Sequence, residues 1–186
     1  MPEMISKKLL TLKRLTRLLE GINPNNTWID EDGNEQPFTM DLTNSVFRGR
    51  VVFGDEVKPP FIAILEAPRQ INPNGGGSDR LKQDEDWTLL IQGFATDDPY
   101  HPSDPAYLLL AYVQARLARI TEERTNGGRG GVYPEDYHLG GLTGKISFQI
   151  PIVRPGKDDV SDTAYFYMPV SIETVTDLSR PIIKGD

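Results

Sequence analysis

Three long stretches without hydrophobic periodicity restrict the possible folds of this chain more than any other feature. Residues 22–46, 66–86 and 124–143 are rich in glycine, proline and polar residues, and they hold 66 of the 186 residues. Structureless loops longer than about 12–15 residues are uncommon in compact domains unless they are functional or disordered. Ordering them costs conformational entropy. We therefore expect these loops to become ordered against neighbouring copies of the chain, the alternative being that they are simply mobile.

The composition is that of a folded domain. Hydrophobic residues make up 38% of the chain and charged residues 25%, which is enough apolar material for a core. Cysteine is absent, so the chain has no disulfide framework and no thiol nucleophile. No apolar run is long enough to span a bilayer, and the N-terminus lacks the apolar region of a secretory signal. We expect a single domain over residues 1–186, made in a cytoplasm and without contact to a membrane.

The charge is unevenly distributed along the chain. The formal net charge is −7, with +3 in residues 1–20 and therefore −10 in the remainder. A protein that wraps nucleic acid needs a basic surface, so the acidic body argues against that function. The same charge is compatible with a protein past which DNA slides without binding specifically.

Residues 3–21 are predicted to form the first helix. Apolar residues recur at helical spacing along one face: Ile5, Leu9, Leu12, Leu15 and Leu19. The opposite face is basic and carries Lys7, Lys13, Arg14 and Arg17. This basic face is either solvated or docks against an acidic partner surface.

A second helix is predicted from Asp104 to about Glu123. Pro105 suits its first position, and an apolar stripe follows: Ala106, Leu109, Leu110, Val113, Leu117 and Ile120. A row of small residues, Ala111, Ala115 and Ala118, lies beside the stripe. We expect the helix to pack through these faces against the first helix or a sheet.

Five segments favour β-strands. Residues 51–53 and 61–65 are predicted to pair as a hairpin, with the second strand central because it is apolar on both faces. Residues 87–95 form the third strand, and residues 145–152 and 164–174 form a final hairpin. Pro151 and Pro169 cannot donate to a ladder, so an edge or a bulge is expected there.

The last predicted strand carries two tyrosines opposite its core positions. Phe166, Met168, Val170 and Ile172 alternate as the buried face, which places Tyr165 and Tyr167 on the other side. Exposed tyrosines on an edge strand suit an interface, and the alternative is that both faces of the sheet are covered. The fold class is α+β: a mainly antiparallel, mixed sheet of about five strands flanked by two principal helices, with long inserted loops.

Three motifs suggest chemistry, but each has a simpler structural interpretation. Asp97, Asp98 and His101 could hold a metal in a hydrolase, yet the interleaved prolines are typical of a turn. Asp30, Asp32 and Asn34 match the opening of a calcium loop, but Glu35 stands where that loop needs glycine. The glycine-rich run 127–131 lacks the Lys-Ser/Thr of a P-loop. We expect no catalytic residues, no metal and no cofactor.

Short phrases along the chain resemble the tail terminator, or tail completion, proteins of long-tailed bacteriophages. They comprise the leading amphipathic helix, the strand that ends Ile64-Leu65-Glu66, the strand that begins Asp86-Trp87, and the turn from Asp97 to Tyr107 that leads into the long helix. The resemblance extends over most of residues 3–175 and consists of the order of the elements with these short matching segments. The chain is long for that family, and the extra length lies in the three loops.

The resemblance implies a structural virion protein of the tail and neck. Such proteins form a ring, usually a homohexamer, from a small α+β subunit. The ring caps the tail tube protein, ends its polymerisation and joins the tail to the head–tail connector, while DNA passes through the lumen without specific binding. It implies no catalytic residue and no cofactor.

Two other functions remain open at this stage: a head–tail joining or stopper protein, and a metal-dependent hydrolase. We expect the basic face of the first helix and the three long loops to form the contacts between copies of the chain and with partner proteins. The candidate interaction residues are Lys7, Lys13, Arg14, Arg17, Arg129, Tyr133, Tyr165 and Tyr167.

Overall fold

One mixed sheet with two helices packed on one face organises the chain. The structure, a computed structural model, describes residues 4–67, 82–96, 98–124, 130–156 and 163–185. The helices are α1 (Lys7–Glu20), α2 (Asp104–Ala118) and the single turn α3 (His138–Gly141). The strands are β1 (Met4–Ser6), β2 (Thr27–Ile29), β3 (Glu35–Pro37), β4 (Val46–Arg48), β5 (Phe61–Glu66), β6 (Lys82–Phe94), β7 (Ile146–Phe148), β8 (Ile152–Arg154), β9 (Tyr165–Asp177) and β10 (Ile182–Lys184).

The main sheet has the order β4-β5-β6-β9-β7, and β8 also pairs with β9. β4 runs parallel to β5, and the other pairs are antiparallel. The α+β class and the mixed sheet are thus confirmed. The sheet contains six strands where the sequence predicted about five, and β1-β10 and β2-β3 form two further two-stranded sheets.

α1 begins later than predicted. Residues 4–6 form β1 and pair with β10 near the C-terminus, and Ser6 caps the helix by accepting a hydrogen bond from the Leu9 amide at 3.3 Å. The predicted apolar face is also partly wrong, because Leu9 is 42% exposed. The buried face is made by Leu10, Thr11, Leu15, Leu18 and Leu19. The many leucines on this helix permit more than one apolar stripe.

α2 and its apolar stripe agree with the prediction. All six residues of the stripe are buried. The helix ends at Ala118, five residues before the predicted end. The row of small residues does not pack against another element as expected, since Ala111 and Ala118 are exposed.

The predicted hairpin of residues 51–53 and 61–65 is wrong. β5 is central, as expected, but its partner is β4, in parallel orientation, with Val46 opposite Ile62. Residues 51–53 belong to a loop in which Val51 and Val52 are more than 70% exposed. Parallel strands are not joined by a tight turn. A turn in the sequence therefore gives no indication of which segment is the parallel partner.

The loop 49–60 covers an aromatic cluster on the sheet face opposite the helices. Phe61, Phe94 and Tyr165 are buried there, and Phe47 and Phe53 pack against them. Tyr165 is only 4% exposed and Tyr167 is half-buried. The expected exposure is therefore wrong for Tyr165, which belongs to a second core, whereas Tyr167 remains partly exposed. The expected edge position is wrong for both, because β9 lies inside the sheet, between β6 and β7.

The predicted strand 145–152 is one edge of the sheet, broken by a bulge. β7 and β8 both pair with β9, but residues 149–151 lie opposite only Met168 and Pro169. The extra residue shifts the register by one, so Ile152 shares a face with Tyr167 while Phe148 shares the helix-side face with Val170. The edge and the bulge expected from the prolines are both confirmed, whereas the continuous alternation is not.

The three long loops differ in content. Residues 22–46 contain the β2-β3 hairpin and end at β4. Residues 68–81 of the second loop and 125–129 of the third lie outside the described residues. Within the described part of the chain, no helix is long and apolar enough to cross a membrane.

Candidate functional site: an arginine pocket

Four arginines from the two long helices line one cavity of about 620 Å³, which we name the arginine pocket. α1 supplies Arg14 and Arg17, α2 supplies Arg116, and Arg119 is the C-terminal cap residue of α2. Residues three apart lie on the same side of a helix, and both helices pack on the same face of the sheet. Their two basic pairs therefore converge. The remaining lining is Leu18, Glu135, Asp136, Leu139 and Gly140.

Arg14 is held by a left-handed turn. Its Nη1 donates to the carbonyl oxygens of Leu139 at 2.8 Å and Gly140 at 3.3 Å. All four residues of α3 have positive φ, between 49° and 79°, and the first two are not glycine. Left-handed backbone costs about 1–2 kcal/mol for each residue that has a Cβ. Strain of this kind persists where the surrounding structure enforces it, often at functional sites.

The left-handed turn is anchored on both sides. The His138 amide donates to the carbonyl of Ile120 at 2.9 Å, and a ring nitrogen of His138 contacts the carbonyl of Gly144. Leu139 is only 2% exposed and belongs to the main core. These contacts fix the two carbonyls that position Arg14.

Arg116 is a buried cation. It is 8% exposed, and its Nε donates to the carbonyl oxygen of Leu18 at 3.2 Å, which links α2 to α1. Burial, followed by the like charge of Arg119, lowers the pKa of the guanidinium group, while Asp136 and Tyr133 act in the opposite direction. Within the described residues, Arg116 forms no ion pair.

Arg119 lies between an acid and an aromatic ring. Its Nε is 3.1 Å from Oδ2 of Asp136, and its Cζ is 3.7 Å from the centroid of the Tyr133 ring. The Nε–H finds no aligned hydrogen-bond acceptor, so the contact with Asp136 is an ion pair without a well-formed hydrogen bond. Stacking on Tyr133 orients the planar guanidinium group.

Guanidinium groups outnumber carboxylates among the described residues of the pocket. Four arginines line it beside the carboxylates of Glu135 and Asp136. Guanidinium groups bind carboxylate and phosphate oxygens through paired hydrogen bonds. Water screens charges at the protein surface and so weakens surface ion pairs. This screening is smaller in a partly enclosed site. The arrangement is therefore suited to binding an oxyanion.

The structure brings together only some of the predicted interaction residues. Arg14 and Arg17 line the pocket, and Tyr133 borders it through Arg119. Lys7 and Lys13 do not line it, and Lys7 instead donates to the carbonyl of Val175 at 3.1 Å. Arg129 lies outside the described residues.

Tyr165 and Tyr167 are on the opposite face of the sheet from the pocket. Conversely, Arg116 and Arg119 line the pocket but were not among the predicted interaction residues. The available signal was an arginine inside an otherwise apolar stripe, since Arg116 directly precedes the buried Leu117.

The motifs considered for metal binding form turns. Oδ1 of Asp98 accepts hydrogen bonds from the amides of Tyr100 and His101, and Asp97 lies outside the described residues. Oδ1 of Asp30 accepts from the amides of Asp32 and Asn34 in the β2-β3 hairpin. Among the described residues, no group of three His, Cys, Asp or Glu is placed to hold a metal ion.

The sequence matches no protein-family model and has no significant match among curated proteins.

Proposed function

We propose that the chain is a tail terminator of a long-tailed bacteriophage. In this function, six copies form a ring that caps the tail tube protein, ends its polymerisation and joins the tail to the head–tail connector. DNA passes through the lumen without specific binding. The mechanism is steric, because one face of the ring matches the last ring of the tube and offers no surface for another.

The observation that carries the proposal is an apolar edge of the main sheet. Ile150, at the bulge between β7 and β8, is 88% exposed, and Phe148 beside it is 37% exposed. Together with Leu117 of α2 and Met168 of β9 they line an open cavity of about 330 Å³. Exposed apolar edges promote association between chains, and association removes their apolar surface from water. A second copy of the chain would cover this edge in a ring.

The resemblance and the charge add support. Much of the resemblance lies in Asp86-Trp87 and in the turn before α2, and the structure has the strand β6, which contains Asp86-Trp87, directly followed along the chain by α2. The net charge of −7 suits a channel through which DNA moves.

The test is the assembly state and partner binding of the purified protein. We expect light scattering to give a mass near 125 kDa, six times 20.8 kDa, and negative-stain images to show rings with a central hole that bind the end of tail tubes. A protein that neither forms rings nor binds tube or connector proteins would contradict the proposal. Rings that bind connector proteins but leave tube growth unchanged would instead identify a head–tail joining protein.

A matched pair of variants tests the role of the edge. Ile150→Asn should weaken ring formation with little effect on folding, because the side chain is almost fully exposed. Leu178→Asn, also at an exposed apolar residue but in the turn after β9, should assemble like the natural chain. Equal assembly of both variants would show that the apolar edge is not part of the ring interface.

A further inference from the structure

The side chain of Ile150 protrudes from one edge of the main sheet. It is 88% exposed, and it stands in the bulge between β7 and β8, directly before Pro151. Because proline restricts the backbone of the residue that precedes it, the protrusion is preordered. Ile150 lines the open cavity at this edge together with Leu117 of α2 and Met168 of β9, so it lies on the helix side of the sheet.

A mostly apolar cavity of about 440 Å³ lies on the other face of the sheet, and we name it the aromatic pocket. Phe53, Phe61 and Phe94 of the aromatic cluster line it, and Val51 and Val57 add to its apolar wall. Phe61 and Phe94 are less than 10% exposed, whereas Val51 is 72% exposed. The pocket is therefore open to solvent at Val51 and apolar in its depth, and its volume is ample for one branched aliphatic side chain.

The aromatic pocket is preformed. Arg50 holds the loop 49–60 from one side, since it pairs with Glu56 and its Cζ lies 5.3 Å from the centroid of the Phe47 ring. Phe53 holds the same loop from the other side, with its ring centroid 4.5 Å from that of Phe61. A preformed site and a preordered protrusion both lose little conformational entropy when they meet.

Ile150 lies far from the aromatic pocket of its own chain. β9 and β6 stand between β5 and the edge that carries Ile150, which makes three strand spacings, or about 14 Å. The two features also lie on opposite faces, because Ile150 shares its cavity with α2 and the aromatic pocket lies on the face without helices. A protrusion and a pocket at separate places on one molecule can meet only between copies, head to tail.

The charges beside the two features are opposite in sign. Arg154 is the only charged residue of the edge segment 146–154, and Asp55 is the only charged residue among the described lining of the aromatic pocket. Both are exposed, and neither has an ion-pair partner in the described part of the chain. The nearby Lys58 does not line the pocket. The edge of one copy and the pocket of another are therefore complementary in charge as well as in polarity.

We propose that Ile150 of one copy inserts into the aromatic pocket of a second copy, and that Arg154 and Asp55 orient this approach. Each copy then offers the protrusion at one place and the pocket at another, so the contact is head to tail. Repeated contacts of this kind close into a ring when the rotation between copies permits, and otherwise grow into a filament. The inference rests on the proposed ring and names the surface of the next copy on which its apolar edge docks.

The first experiment changes the pocket and leaves the protrusion. In the full chain, Val51→Asn should weaken self-association at least tenfold, as should Ile150→Asn, in light scattering across a concentration series. Both side chains are exposed, so both variants should fold, which circular dichroism checks. Val175→Asn is the matched control at an exposed valine that lines neither cavity, and it should assemble like the natural chain. Equal assembly of the Val51→Asn variant and the natural chain would overturn the contact.

The second experiment mixes the two variants to test whether protrusion and pocket meet each other. The Ile150→Asn chain keeps the pocket, and the Val51→Asn chain keeps the protrusion. Each alone should be a monomer of 20.8 kDa, and the mixture should form a complex of about twice that mass, because one intact contact remains for each pair. A mixture that contains only monomers would contradict the docking. A Val51→Asn chain that assembles by itself, with edge against edge, would also contradict it.

The outcomes separate this contact from the proposed ring. Hexameric rings that form equally well in the Val51→Asn variant would reject the docking of Ile150 in the pocket and retain the ring. A natural chain that forms open filaments, which both variants lose and their mixture limits to dimers, would retain the contact and reject the ring. A natural chain that stays monomeric at every concentration would reject the contact.

Discussion

The side chain of Arg116 occupies the space in which a side chain on Gly21 would begin. A Cβ built on Gly21 would lie 2.7 Å from Cζ of Arg116, closer than real Cβ atoms approach a neighbour. Gly21 ends α1 with φ of −69°, so its backbone does not require glycine. The close approach of the arginine therefore explains why a small residue is needed at this helix end, and it places a cation between α1 and α2.

Gly21→Ala should destabilise the natural chain by about 1 kcal/mol, the low end of overpacking costs, because the guanidinium group must leave its position but is the end of a flexible side chain that can shift. In the Arg116→Met background the same change should cost less than about 0.5 kcal/mol, since the shorter flexible thioether can adapt. Urea unfolding of the four proteins gives the coupling free energy. Equal costs in both backgrounds would show that the two side chains do not compete for the same space.

Gly93→Ala should destabilise the sheet by about 1–3 kcal/mol. Gly93 pairs with Phe166 across β6 and β9, and a Cβ there would lie 2.6 Å from Cζ of the phenyl ring, which is fully buried. The free energy of unfolding measures the effect. Gly144→Ala is the control, since its Cβ would meet nothing nearer than 3.5 Å and should change stability by less than about 0.5 kcal/mol. Similar losses in both variants would contradict this explanation.

Phe53→Ala should destabilise the chain by about 1–2 kcal/mol through loss of buried apolar area. The Phe53 ring lies 4.5 Å from the ring of Phe61 and 5.8 Å from that of Phe94, and it helps the loop 49–60 to cover the sheet. Its removal should also increase the binding of a hydrophobic dye to the uncovered cluster. Val52→Ala, at a side chain that is 77% exposed, should leave both measurements unchanged.

The Asp98 carboxyl should titrate below its ordinary pKa of about 3.9 in NMR spectra. Hydrogen bonds from the amides of His101 and then Tyr100 favour the carboxylate and lower this pKa. A lowered pKa in the folded state contributes stability above the unfolded-state pKa, and this stability is lost as the pH falls through the folded value. Asp98→Asn keeps a capping oxygen but cannot titrate, so its stability should depend less on pH below about 4. An Asp98 pKa at or above the ordinary value would contradict the turn geometry.

Several elements of the fold follow from short-range sequence patterns. The apolar stripe predicted α2, the run Phe61–Leu65 predicted the central strand β5, and the alternation around Phe166 predicted the buried face of β9. The two prolines predicted a bulged edge, because a residue without an N–H interrupts a ladder wherever it stands. These features depend on residues a few positions apart, and the sequence displays them directly.

Only half of the candidate site could be predicted from the sequence. The basic pair of α1 was visible in the sequence, but its partners were not: the carbonyl that Arg14 contacts lies 125 residues away, and Arg116 is 98 residues from Leu18. The parallel pairing of β4 with β5 was also missed, since residues 51–53 are better strand formers than the paired segment and no turn links the true partners.

The sequence by itself determined α2, the central strand β5 and the acidic composition of this protein, because periodicity and charge are local properties of the chain. Only the tertiary structure decided that Tyr165 is buried, that Ile152 faces the side opposite Phe148, and that four arginines share one cavity. Those outcomes depend on how distant segments pack and on strand register. A single extra residue in an edge strand transfers the side chains that follow it to the other face of the sheet.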